Sequence, residues 1–259
     1  MDLYAFPPIA ALLDGAHAVL MGLAGLLDPL IGVSSAAAAV VLVTLLVRTA
    51  LIPVGVSQAK AERTRARLAP QLADLRRRHG TDPERLQRET MALYAAEGTS
   101  PFAGCLPLLI QAPIVGVIYA LFILPTIAGH PNALLEQTFL GVPLGSSLAG
   151  SLVSGTLEPA ELIVFCVVIG SIAAVGEVTR RVFRVELPNP TDAAVASPLQ
   201  LPAAQRLLGL LQFLTAVIAV FVPLAAALYL LVTVAWTLVQ RMVLRRLYPP
   251  EAGLSPQPA

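Results

Sequence analysis

From Leu207 to Val239 the chain carries no charged side chain. As one helix this run would be roughly 50 Å long, against a bilayer hydrocarbon core of about 30 Å. It is bounded by Arg206 on one side and by Arg241, Arg245 and Arg246 on the other. Basic residues favour the cytoplasmic side of a membrane, so both ends belong on one side and the run must double back. Pro223, near its centre, is the natural turn. The two arms, 207–222 and 223–240, are then at the short end for spans.

Three further runs reach spanning length: 34–56, 103–128 and 160–179. With 56% hydrophobic and only 13% charged residues, the fold class is all-α integral membrane, with five transmembrane helices, N-terminus outside and C-terminus inside. The basic residues sort accordingly. Lys60, Arg63, Arg65, Arg67, Arg76, Arg77, Arg78, Arg85 and Arg88 share the first cytoplasmic loop. Arg180, Arg181, Arg184 and Arg206 bound the second, and the last three lie at the C-terminal end. The connection 129–159 has none.

Residues 1–33 are expected to form an N-terminal outer interfacial helix. Their apolar stretch is interrupted by Pro7, Pro8, Asp14, His17 and several glycines, and an extra span is the alternative. With no Lys or Arg before Arg48, the stretch lacks the basic region of a secretory signal. Residues 57–97 carry both signs of charge and predict a cytoplasmic helical hairpin, Leu68, Leu72 and Leu75 facing Leu86 and Leu93. Its turn is "HGTDPE" (79–84), with Asp82 as N-cap and Pro83 opening the second helix. Residues 185–205 are proline-rich and read as a linker, and 247–259 as a short cytoplasmic tail.

The remaining basic residue, Arg48, lies inside "LVTLLVRTALIP" (42–53). Burying a guanidinium there costs roughly 2.5–3.5 kcal/mol on insertion scales. It stands about 13 Å from the end of its span, too deep for easy snorkelling, and no carboxylate lies deep in a span to pair with it. The repayment predicted is water, in a polar cavity open to the cytoplasm. Candidate lining residues are Thr44 on the same face as Arg48, Gln111 in the second span, Gln212 and Thr215 in the fourth, and Thr233, Trp236, Thr237 and Gln240 in the last. Each has a plainer reading: threonines bond back to their own helix, Trp236 suits an interfacial belt, and Gln240 suits a helix end. No motif of a hydrolase, zinc protease or phosphate-binding loop occurs. The three histidines are far apart, and Cys105 and Cys166 make neither a metal cluster nor a disulfide framework. An enzyme, a metal and a cofactor are therefore not expected.

The stretch "LAPQLADLRRRHGTDPERLQRETMALYAAEGTSPFAGCLPLLIQAPIVGVIYALF" (68–122) resembles the YidC/Oxa/Alb membrane protein insertases, most specifically in "ALYAAEGTSPFAGCLPLLIQAPI". "FLGVPLG" (139–145) is similar to that family's outer-loop phrase. "ALYLLVTVAWTLVQ" (227–240) keeps the spacing of its last-span signature. The resemblance covers roughly 34–246, an insertase core. It implies that Arg48 sits in a hydrophilic groove that receives polar segments of nascent membrane proteins and releases their helices into lipid. It implies that the hairpin, with Arg76, Arg77, Arg78, Arg85 and Arg88, receives those clients, and that no nucleotide is needed. The Sec translocon and the ribosome are further partners it suggests, although the tail is short and not basic. The sequence departs from the family pattern at Gln212, Ala225, Leu230 and Val234, all in the last two spans.

Two rivals remain open at this point. A small transporter or channel with Arg48 as an anion site would want polar groups across the full membrane depth and an inverted repeat, and neither is visible. An assembly factor that holds helices without inserting them needs the same groove and hairpin. The topology itself is testable. Single cysteines at Ser147 and Pro256 of a cysteine-free variant are expected to react with an impermeant thiol reagent from opposite sides of the membrane. Labelling of both from one side would remove the hairpin at Pro223.

Overall fold

The computed structural model describes residues 6–80, 82–98, 116–127, 129–183 and 213–247, with backbone alone at 62, 65 and 66. Gln111, Gln212, the linker 185–205 and the tail beyond Leu247 lie outside the described residues. Helix α1 is Pro7–Ile31, followed by a 3-10 turn, Gly32–Ser34, and α2, Ser35–Ala50. Helix α3 is Ile52–His79, α4 Pro83–Ala96 and α5 116–123. The connection 124–158 holds two antiparallel two-residue ladders, with Ile127 opposite His130 and Phe139 opposite Val142. It also holds the short helices α6, Ala133–Glu136, and α7, Leu148–Ser154. Helices α8, Pro159–Val182, α9, Leu214–Phe221, and α10, Leu224–Leu247, follow.

Between α1 and α2 the backbone at Gly32 takes φ 66°, ψ −136°, a conformation that residues with a Cβ rarely adopt. It turns α1 back against α2, and this is the most extensive helix pair of the fold. The buried face of α2 is small, Ser35, Ala36, Ala37, Ala39, Val40 and Thr44, so α1 packs against it with Leu13, Leu20 and Ala24. Helix α10 approaches α2 too, with Leu224, Ala225, Ala226, Ala227, Leu228 and Tyr229 all buried. Phe165 and Ile172 of α8 close the same core.

The connection 124–158 organises the helix ends. Thr138 Oγ1 donates to the Val33 carbonyl and Leu140 N to Ser34 Oγ, each at 3.5 Å, beside the start of α2. Leu224 N and Ala225 N, which the first turn of a helix leaves without intrahelical partners, donate to the carbonyls of Ser146 and Leu144 at 2.8 and 3.0 Å. Ser151 Oγ donates to Glu161 at the start of α8, 2.7 Å away. Helices α2, α8 and α10 thus begin at this one cluster, whereas α5 and α9 end there. The first three are parallel and the other two run against them.

Outside this core the surface is apolar where a water-soluble protein would be charged. Leu12, Val19, Leu26 and Leu30 form an exposed stripe on α1, and Ile163, Val167, Val217 and Phe221 project from α8 and α9. Such continuous apolar surface suits hydrocarbon. Among the described residues, three helical stretches are long and apolar enough to cross a membrane: Pro7–Ala50, Pro159–Val182 and Leu224–Leu247. The last differs from the sequence reading, since α10 continues past Gln240 to Leu247 instead of ending as a short arm.

At the opposite end, Pro53 enters at the second position of α3 and the α2–α3 line breaks at Leu51. Asp82 caps α4 as predicted, accepting from Arg85 N at 3.0 Å. Fully buried Leu68 and buried Tyr94 fill the hairpin between α3 and α4, and an Arg67–Glu97 ion pair ties its open end. Pro70 lies within α3 without ending it.

Asn132, 3% exposed, joins α5 to the connection. Its Nδ2 donates to the carbonyls of Leu121 at 2.7 Å and Leu124 at 2.9 Å, while Oδ1 accepts from Leu134 N and caps α6. Asn132→Asp keeps the shape but removes both donations and faces a carboxylate with two carbonyls. Leaving buried polar groups unsatisfied costs about 1–3 kcal/mol each. The variant is expected to melt at a clearly lower temperature than wild type in detergent, and Asn132→Ala likewise. An unchanged melting temperature for Asn132→Asp would show that these bonds contribute nothing.

Candidate functional site

The parallel course of α2 and α10 fixes which residues share a depth. Near the hairpin end, buried Gly55 at the start of α3 lies so close to α10 that a Cβ added there would overlap the side-chain amide of Gln240. Counting back seven residues on α10, and seven along the α2–α3 line through Leu51, about 10 Å, brings Arg48 level with Thr233. One turn further, Thr44 is level with Tyr229. Thr44, Arg48 and Gly55 fall on one face of the α2–α3 line, and Thr233, Trp236, Thr237 and Gln240 on one face of α10, by their three-, four- and seven-residue spacing.

Arg48 is partly buried and, among the described residues, makes no hydrogen bond or ion pair. Glu177, near the C-terminal end of α8, is already engaged. It accepts two bonds from Arg180, at 2.7 and 2.8 Å, and one from Arg181 at 2.6 Å. Thr233 Oγ1 is buried without a partner. The other hydroxyls are committed: Thr44 Oγ1 donates to the Val40 carbonyl at 2.7 Å and Thr237 Oγ1 to the Thr233 carbonyl at 2.8 Å. Trp236 Nε1 donates to Gln240 Oε1 at 2.9 Å. Thr215, on α9, is partly buried on a different helix pair.

At one level, then, α2 carries a cation and α10 a hydroxyl that are both without a partner among the described residues. An arrangement of this kind favours water and the polar groups of a guest chain over hydrocarbon. Among the described residues no group of three His, Cys, Asp or Glu side chains could hold a metal ion.

The hairpin's arginines divide by their partners. Arg77 is paired with Asp74, whose carboxyl it holds below the usual range, chiefly through the hydrogen bond and then through charge. Arg76, Arg78, Arg85 and Arg88 are exposed, and among the described residues their side chains make no ion pair. Arg245 lies over the Phe183 ring, 4.2 Å from its centroid, joining the ends of α10 and α8. The sequence reading passed over Gly55 altogether. Its only signal was a glycine seven residues beyond Arg48 on a helical line.

Comparison with known proteins meets this geometry. The family described as 60Kd inner membrane protein matches residues 26–251. A membrane protein insertase YidC from Clostridium perfringens is 40% identical over 81 residues, 31% of this chain and 34% of the relative. One from Oceanobacillus iheyensis is 35% identical over 113 residues, 42% of each chain. One from Streptomyces avermitilis is 28% identical over 224 residues, 81% of this chain and 51% of the relative. The aligned parts thus span between a third and about half of these relatives' lengths. With the family match running through the α2–α10 seam and the hairpin alike, the chain belongs to the 60Kd inner membrane protein family, the YidC/Oxa insertases of bacterial membranes.

Proposed function

We propose that this chain inserts membrane proteins by taking a polar client segment into the seam between α2 and α10 and releasing the adjoining apolar helix into lipid. The observation that carries this reading is the pairing, at one depth, of an Arg48 without a partner among the described residues and a Thr233 hydroxyl without one. The seam supplies a hydrated halfway point, so the client's polar segment need not cross the whole hydrocarbon core at once. Burial of the client's apolar helix drives the step, at roughly 25 cal/mol per Å², without a nucleotide. Arg48 attracts acidic side chains of the crossing segment. In this reading five helices span the bilayer, the connection 124–158 lies outside with α1 along the outer surface, and the α3–α4 hairpin faces the cytoplasm. Nascent membrane proteins and the bilayer are the partners; the Sec translocon and the ribosome are further candidates.

If Arg48 works through its charge, Arg48→Lys retains most of the activity despite losing the guanidinium fork. Arg48→Ala loses on the order of tenfold, the size of one charge-assisted hydrogen bond of roughly 1.5 kcal/mol, and most for clients with acidic outer segments. Neither change lowers the melting temperature, because an unpaired buried charge is a cost to the fold. Client insertion and thermal unfolding measured on the same three proteins decide the matter. A destabilised Arg48→Ala that loses all clients equally would make the arginine structural.

Reversing the unpaired cations, Arg76, Arg78, Arg85 and Arg88, to Glu is expected to reduce client delivery several-fold while Arg77→Glu alone does less. Crosslinking of a nascent client to the hairpin reads this directly. Equal delivery by all variants would reduce the hairpin to a solvated connector.

A further inference from the structure

Gly55 and Gln240 meet at the hairpin end of the seam, two turns below Arg48 and Thr233. Gly55 is buried and its missing side chain leaves the space that the Gln240 amide fills. Gln240 Oε1 accepts from Trp236 Nε1 at 2.9 Å, so the amide is held from its own helix while it lies against the backbone of α3. The overlapping group is the far end of a flexible side chain rather than backbone. It is therefore free to swing aside without disturbing either helix.

We propose that Gln240 is a plug that closes the α3–α10 seam below Arg48, seated on Gly55 and latched by Trp236, and that a client segment must displace it to reach Arg48. This rests on the α2–α10 seam being the client path. Gly55 acts as a positioning residue: any side chain there evicts the amide from its seat. The latch is a single neutral hydrogen bond, weak enough for an incoming polar segment to exchange for its own bonds to the amide. A tighter closure, such as an ion pair, would oppose each insertion event.

The test measures access instead of insertion, so that its failure is separable from failure of the insertase reading. In a full-length variant with Cys105→Ala and Cys166→Ala, Thr233→Cys places a thiol where the unpartnered hydroxyl lies. Its reaction with the anionic reagent sulfonatoethyl methanethiosulfonate is timed from the hairpin side of oriented vesicles. A cysteine at exposed Ser57 serves as the reference. Gln240→Ala is expected to speed the reaction at least about fivefold, Trp236→Phe to speed it less, and Gly55→Ala to approach Gln240→Ala. Gly55→Ala combined with Gln240→Ala should be no faster than Gln240→Ala alone, because no amide is left to evict. Trp236 is the sole tryptophan, so its emission should shift alike in Gly55→Ala and Gln240→Ala. Should Gly55→Ala fold poorly, the double variant restores folding under the proposal, and Gln240→Ala still reads the plug. A Gln240→Ala rate within twofold of the parent, or rate gains that multiply in the double variant, would overturn it.

Discussion

A guanidinium within apolar surroundings sets the terms for this fold. Arg48 is partly buried on α2, within an otherwise apolar run, and among the described residues no carboxylate answers it. Glu177, near the C-terminal end of α8, is occupied by Arg180 and Arg181. Among the described residues the charge has no partner, and the unsatisfied Thr233 hydroxyl at the same depth compounds the effect. Both groups gain from a polar visitor. That gain underlies the reading of the seam as a transit site.

The connection 124–158 holds the seam in shape. Backbone carbonyls of Leu144 and Ser146 receive the first amides of α10, and Thr138 and Leu140 bond at the head of α2. The two helices therefore start from one cluster, and the levels further down are read from the Gly55–Gln240 contact at the other end. At the far end a glycine and an amide fit together, while the Arg67–Glu97 pair ties α3 to the end of α4, and Leu68 and Tyr94 are buried. Rigid definition at one end and a light closure at the other are what the proposed transit site requires.

Much of this was legible in local sequence. Arg48 stood out because a single charge inside an apolar run has few explanations, and Asp82 and Pro83 announced a helix start through side-chain chemistry confined to four residues. What depends on distant partners was not legible. Asn132 looks like one more loop residue until the carbonyls of Leu121 and Leu124 are brought to it. Gly55 looks like a weak spot in a helix until Gln240 fills its space. Helix α10 outlasted its apolar run because Arg, Met and Leu sustain a helix after hydrophobicity falls away. Gln111 and Gln212 lie outside the described residues, so their place beside the seam stays with the proposal.

The central claim is that this chain alone, without an energy source or a second protein, moves a polar segment across a bilayer. The direct measurement is reconstitution of the purified protein into liposomes with a single-span client bearing a short polar outer segment. Protease protection of that segment is read with and without Arg48→Ala. The account predicts protected client in proteoliposomes without nucleotide, and a marked loss in the variant. Client that binds the proteoliposomes yet remains fully digestible would contradict it, and would make the protein a holder of helices rather than an insertase.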